Sequence, residues 1–536
     1  MRSGQYRAAW EAIAQAIALA PDEKNYRVLF LQAVSGANFG FFSQSIKGAI
    51  AACLADDELM HRPLFWAWAS TLLHDPEMSA FAALQPATAY DQLRNLMPSG
   101  KLAFLNDPFL TGGLKKCLIQ KAEFEQTLTY LRRYFLLSAS SAQKKAALPF
   151  LTALASQCFF NEYAFIVTEE EVAKVEALRG GASTPSDVAL LACYVSLEKT
   201  PTAGLLSKMD DPLIKYLQRT QVEEPKAEVL LKSSIPSFGN ISDEVSNAVR
   251  QQYEENPFPR WIGFGDASGA GEDRASSKGR TILIAGCGTG QQVAGAATNF
   301  PLADITAIDL SRASLAYAAR KAKEYCFDNV KFAQGDLLQV AALNKTFDYI
   351  ICGGVLHHMQ SPRDGLAALK AVLKARGVMR IALYSEIARK GIVAVQNWIK
   401  QQGYPATAEG IRAFRAEIAD KAPRGLIEEA SPLPGFHTLS ECRDTYFHVQ
   451  EHRFTFLTLK AMLDGLDLEV IGLAQLRSTV RQTYLQAFPE DEHCIDLENW
   501  HVFEQDNPKT FIGMYKVYVG LKGVHAVRTL PPWLAS

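Results

Sequence analysis

Residues 1 to about 235 read as helix after helix, because apolar positions recur at three- and four-residue intervals. Ala146–Phe160 is one such stretch, and Thr168 followed by Glu169, Glu170 and Glu171 carries the signature of a helix N-terminus. Ser233–Asn240 is rich in Ser, Pro and Gly and reads as a linker. A helix over about Asp243–Glu254 must end at Asn256-Pro257-Phe258-Pro259, where two prolines forbid its continuation. Gly263–Gly279 is Gly/Ser-rich and predicts a loop. From Thr281 the period changes. Thr281–Ala285, Asp304–Ile308, Val330–Ala333, Phe347–Cys352 and Val378–Tyr384 are short apolar runs, the pattern of parallel strands buried on both faces. Helical segments separate most of them, which predicts a doubly wound α/β sheet. Residues 386 to about 450 return to helical spacing, broken at Ser431–Gly435. A last helix, Thr455–Leu463, precedes strands at Leu468–Leu473 and Phe511–Leu521. The expected organisation is a helical domain over 1–235, a linker and covering segment over 236–280, an α/β core over 281–385, a helical insertion over 386–452, and a last helix with closing strands over 453–536.

Composition narrows the function classes. The chain has 536 residues, 48% of them hydrophobic and 21% charged, enough for several packed cores. Lys plus Arg total 55 against 57 Asp plus Glu, so the basic excess of a phosphate-gripping protein is missing and nucleic acid is disfavoured as a partner. No apolar run reaches the length of a membrane span. Met1–Tyr6 lacks the apolar stretch of a signal peptide, and the nine cysteines contain no CxxC. A reduced, cytoplasmic protein is expected. Gly4, Tyr6, Ala9, Ile13, Ala16 and Pro21 match the second helix of a tetratricopeptide repeat, but no second copy follows at the period of about 34 residues. The pattern favours an irregular helical domain.

The chemistry begins where the first strand runs into Gly286-Cys287-Gly288-Thr289-Gly290. Glycines there permit positive φ and let backbone approach a ligand. Asp309 ends the next strand, 19 residues after Gly290, where a carboxylate can accept both hydroxyls of a ribose. A dinucleotide site needs Gly-x-Gly-x-x-Gly, whereas position 291 is Gln. Asp336 and Leu337 follow the third strand, placed for an adenine amino group and its apolar wall. The fourth strand ends in Cys352-Gly353-Gly354-Val355-Leu356-His357-His358. This set resembles the class I S-adenosylmethionine-dependent methyltransferases, closely over about 281–385. The resemblance implies a Rossmann-like seven-stranded sheet and S-adenosylmethionine as cofactor. It assigns Gly286, Cys287, Gly288 and Gly290 to the methionine moiety and its turn, Asp309 and Leu310 to the ribose, Asp336 and Leu337 to the adenine, and Gly353 to the sulfonium.

Further segments, among them Tyr253–Trp261 and Phe447–Arg453, look like bacterial methyltransferases with helical, tetratricopeptide-like N-terminal regions. The overall plan resembles rickettsial lysine methyltransferases that act on an outer membrane protein. Tyr253 is expected to cover the cofactor, and Arg260 to fork onto its carboxylate. The alternative for this segment is a proline-terminated helix whose aromatics fill the core. His448-Val449-Gln450-Glu451-His452 spells H-x-x-E-H, the zinc-peptidase pattern, and on a helix both imidazoles would share one face. Methyl transfer needs no metal, so none is expected. Lining of the substrate site by His448 and Glu451, or a structural cluster, stays open. His357 and His358 are the candidate catalytic residues, against the alternative that they pack the following helix. The expected activity is methylation of a protein, foremost on lysine. Methylation of a small molecule or nucleic acid, a non-catalytic cofactor-binding adaptor, and a homodimer are left open.

Overall fold

The structure is a computed structural model that describes residues 2–85, 87, 89–97, 102–264, 277–423, 425–426 and 434–524. Most of the expected Gly263–Gly279 loop and of the Ser431–Gly435 break lies outside the described residues. The chain forms two compact units. One comprises Met1–Ala227, Arg260–Gly269 and Gly403–Thr445, and the other Glu228–Pro259, Ala270–Gln402 and Tyr446–Ser536.

The second unit is built on seven strands: β1 (Thr281–Ala285), β2 (Asp304–Asp309), β3 (Val330–Gln334), β4 (Phe347–Gly353), β5 (Leu373–Leu383), β6 (Leu468–Leu473) and β7 (Tyr515–Leu521). Their order is β3-β2-β1-β4-β5-β7-β6. β1 to β5 pair in parallel, and β7 runs antiparallel to both β5 and β6. The doubly wound α/β reading is therefore observed. Side chains alternate between the faces, so Ile282 and Ile284 join one buried cluster with Ile305, Ala307 and Ile351. Leu283 and Ala285 join the other, with Ile350, Met379 and Ile381. That second face is finished by an aromatic group in which Tyr484 stacks on Trp500 at 3.8 Å.

Strand order reverses between β1 and β4, and crevices that bind ligands in open α/β sheets lie at such switch points. The expected linker also contributes to the sheet. The Phe238 amide donates to Gln334 O at 3.0 Å and the Gln334 amide to Pro236 O at 2.8 Å, covering the β3 edge. Phe511 lies in a turn ahead of β7, and two helices, Ser478–Ala487 and Leu497–Asp506, stand between the closing strands.

The first unit is helical among its described residues, with helices such as Arg2–Leu19, Ala122–Leu137 and Leu148–Phe160 and a π-helical turn at Arg219–Glu223. The cap read at Thr168 is present: its hydroxyl accepts from the Glu171 amide, and the Glu171 side chain accepts from the Thr168 amide. The stretch expected as one insertion divides: Lys390–Gln402 lies in the second unit and Ala408–Lys421 in the first. Buried Arg415 anchors the latter helix. Its Nη2 donates to Glu125 at 2.6 and 2.8 Å, and its Nε donates to Phe436 O at 2.7 Å. His437 Nδ1 meets the same carboxylate at 2.8 Å. Removing one partner strands a buried charge, so Glu125→Ala is expected to cost about 3–5 kcal/mol. A urea unfolding midpoint equal to wild type would contradict this anchoring role.

Candidate active site

β1 runs directly into the glycine turn, which closes back on β2: the Gly286 and Cys287 amides both donate to Ile308 O at 2.9 Å. Gly286, Gly288 and Gly290 have φ of 69°, 52° and 90°, the left-handed region that favours glycine. Space is equally restrictive. A Cβ would stand 2.1 Å from Val355 Cγ2 at Gly286, 2.7 Å from Phe258 O at Gly288, and 2.7 Å from Ala318 Cβ at Gly290. The third glycine thus lets the helix Gln291–Asn299 approach the helix Arg312–Glu324. Cys287 is buried, which pushes its thiol well above the usual range.

Asp309 stands opposite this turn. Its Oδ2 accepts from the Gly288 amide and its Oδ1 from the Ser311 amide, both at 2.8 Å. Each oxygen keeps a lone pair, so the carboxylate can still receive two hydroxyl donors. Crowding by surrounding atoms pushes the carboxyl up to about 6, with Glu254 adding to the rise and the amides opposing it. Glu254 is held there because its carboxylate accepts from the Arg312 amide and, at 3.2 Å, from the Ala313 amide, capping the helix that follows β2.

The same segment straps the turn. Tyr253 O accepts from the Ser311 hydroxyl at 3.0 Å, Phe258 O from the Thr289 amide at 3.3 Å, and Pro259 O from the Thr289 hydroxyl. Leu310 O accepts from Gln334 Nε2 at 3.0 Å. Asp336 is buried and caps the turn Leu337–Leu343 through the Leu338 amide at 3.0 Å, while its second oxygen has no partner among the described residues. Leu337 is buried beside it.

Beyond Gly353 the chain turns through Leu356–His358, and both imidazoles are buried. His357 packs on Tyr384 with ring centroids 3.9 Å apart, and His358 stacks on His448 at 3.6 Å. His358 Nδ1 meets Gln450 O at 2.7 Å, and His448 Nε2 meets the Tyr253 hydroxyl at 3.3 Å. Burial lowers both catalytic candidates, His357 well below the usual imidazole range and His358 to about 4. Both are therefore neutral at physiological pH. The structure brings Tyr253, His357, His358 and His448 to one place.

Three expectations are corrected. The H-x-x-E-H segment is not helical, because its amides are claimed elsewhere: the Gln450 amide donates to His448 Nδ1 at 3.1 Å and the His452 amide to His357 O at 2.7 Å. Glu451 is not open to a substrate amine. It receives Arg389 Nε at 3.1 Å and Nη2 at 2.6 Å, and Arg453 Nη1 at 3.2 Å. Arg260 pairs with Glu162 at 3.4 Å within the helical unit instead of forking onto a cofactor carboxylate.

Pattern reasoning passed over Tyr384, which packs on His357, and Arg389, whose guanidinium lies 3.6 Å from the Tyr384 ring centroid. Their signal was position, just past the C-terminal end of a central parallel strand.

With this geometry in view, residues 283–379 match the family model described as a methyltransferase domain. An uncharacterized protein of Synechococcus sp. is 34% identical over 270 residues, covering 46% of this chain and 64% of that protein. A malonyl-acyl-carrier-protein O-methyltransferase of Halalkalibacterium halodurans is 32% identical over 113 residues, covering 20% of this chain and 41% of the relative. The chain thus spans less than two thirds of these curated relatives. Among solved structures, PKMT2 from Rickettsia typhi in complex with AdoHcy is 13% identical, covers 45% of this chain and 49% of its own, and gives a TM-score of 0.35. No helix among the described residues is long and apolar enough to cross a membrane.

The strap contact yields a direct expectation. Gly288→Ala sets a methyl against Phe258 O at positive φ, so it should destabilise the second unit by about 1–3 kcal/mol. Urea unfolding reads this, and a midpoint equal to wild type would overturn the strap contact.

Proposed function

We propose that this chain, with its methyltransferase domain over residues 283–379, is an S-adenosylmethionine-dependent methyltransferase whose acceptor is a lysine amine on a protein. The fit of the cofactor rests on the donor and acceptor set. Asp309 keeps two acceptor positions for ribose hydroxyls, Asp336 keeps one oxygen for the adenine amine, and Leu310 and Leu337 flank them. Bound there, S-adenosylmethionine supplies an electrophilic methyl carbon on a sulfonium.

The observation that carries the acceptor reading is the buried, neutral imidazole pair at the end of β4. A lysine side chain has a free pKa of about 10.4 and attacks only as the neutral amine. A desolvated pocket favours that neutral form, and an uncharged imidazole accepts an amine N–H without demanding a charge on it. A carboxylate acceptor would need a cation. The guanidinium groups of Arg389 and Arg453 both face Glu451, which leaves the pocket poorly suited to a carboxylate. Tyr253, through its hydroxyl on His448, holds the strap against the histidine cluster and helps exclude water. The helical unit, with a core of its own, is assigned to recognition of the target protein. The near-zero net charge favours a protein over nucleic acid as that target.

Two measurements test this. The full chain with labelled S-adenosylmethionine and a cell lysate should place label in protein, and mass spectrometry should find methyl-lysine. Methyl groups on arginine, carboxylate or glutamine with none on lysine would overturn the acceptor. The rate should also rise steadily from about pH 6.5 toward pH 9, because the neutral amine becomes less scarce. His358, at about 4, titrates below that window and adds no break to the profile. A rate that is flat across it contradicts an amine nucleophile.

A further inference from the structure

We infer that Gln292 is a positioning residue that receives the ammonium group at the methionine end of the cofactor, an inference that rests on the S-adenosylmethionine reading of this site. Gln292 is the second residue of the helix Gln291–Asn299, and its carboxamide lies against the C-terminal end of β4. Its Nε2 donates to Gly353 O at 3.3 Å. A Cβ on Gly353 would stand 3.1 Å from that nitrogen and 3.6 Å from Oε1, so the carboxamide lies close against the glycine. The bond to Gly353 O fixes which end of the group is nitrogen.

The consequence falls on the other end. Gln292 Oε1 is buried and has no hydrogen-bond partner among the described residues. A buried acceptor without a donor is costly, and such an atom next to the crevice calls for a donor from the ligand. The cofactor offers few. Its adenine amine and ribose hydroxyls are committed to Asp336 and Asp309, at the ends of β3 and β2. The α-ammonium is the donor that remains, and the resemblance that assigns Gly353 to the sulfonium puts the amino-acid end on that side. The first-turn amides of the same helix suit the carboxylate of that amino-acid end. Gln292 thereby couples two tasks: it fixes the Gly353 carbonyl and it orients the amino acid whose sulfonium must face the acceptor.

The test is calorimetry on the full chain with two ligands, S-adenosylhomocysteine and 5′-methylthioadenosine, which lacks the amino-acid end. Gln292→Met keeps the length of the side chain and removes the acceptor. It should weaken S-adenosylhomocysteine about tenfold, the scale of a hydrogen bond to a charged group, and leave 5′-methylthioadenosine unchanged. Equal weakening of both ligands, or of neither, overturns the inference. So does an unchanged S-adenosylhomocysteine affinity with a raised KM for the methyl acceptor, which would give the carboxamide to the substrate. If Gln292→Met does not fold, Gln292→Asn withdraws the same group by one methylene and should show the same selective loss. A wild-type chain that binds neither ligand contradicts the methyltransferase reading itself, and the two failures are thereby told apart.

Discussion

The hydrogen bond from the Gly288 amide to the Asp309 carboxylate ties the turn after β1 to the end of β2, and the site is arranged around it. It can form only because glycine adopts a left-handed backbone at that point. A side chain there would also collide with Phe258 O, so the bond and the strap depend on the same missing Cβ. Glu254 couples the two further, since it caps the helix after β2 and, by its charge, raises the Asp309 carboxyl. One carboxylate therefore registers the turn, the helix cap and the covering segment together. Its remaining lone pairs stay open to further donors.

On the other side of the crevice the constraint is burial without charge. The loops that follow β4 and β5 bond to the segment His452–Phe454, which forces that segment out of a helix and brings His448 over His358. Glu451 and Arg389 neutralise each other in the same layer. The outcome is a buried layer in which desolvation holds the His357 and His358 imidazoles neutral, a surrounding in which a cationic amine is disfavoured relative to its neutral form. Neutral imidazoles leave the positive charge of a sulfonium unopposed. A protonated imidazole there would oppose it.

Much of this was legible in the amino-acid order. The five central strands announce themselves as apolar runs because parallel strands are covered on both faces, and the Gly286–Gly290 turn with Asp309 and Asp336 stands at fixed positions relative to those runs. What stayed hidden depends on partners distant along the chain. Nothing near Arg260 indicates that Glu162 claims it, and nothing near Glu451 indicates Arg389, 62 positions earlier. The H-x-x-E-H spacing suits a helix, and only the amide demands of neighbouring loops override it. Phe511 reads as strand because it is apolar, yet it lies in a turn and fills the aromatic cluster with Phe456 and Trp500. Gln292 carries no motif at all. Its interest lies in a buried oxygen that only coordinates reveal.

The central claim is that a carboxylate at the end of β2, held by the glycine turn, binds the ribose of an S-adenosyl ligand. Calorimetric titration of the full chain with S-adenosylhomocysteine, in wild type and Asp309→Ala, tests it most directly. The account predicts that wild type binds and that the variant loses about 1–3 kcal/mol of affinity, the scale of charge-assisted hydrogen bonds. Equal affinity in the two proteins, or binding of NAD with no response to S-adenosylhomocysteine, would contradict it.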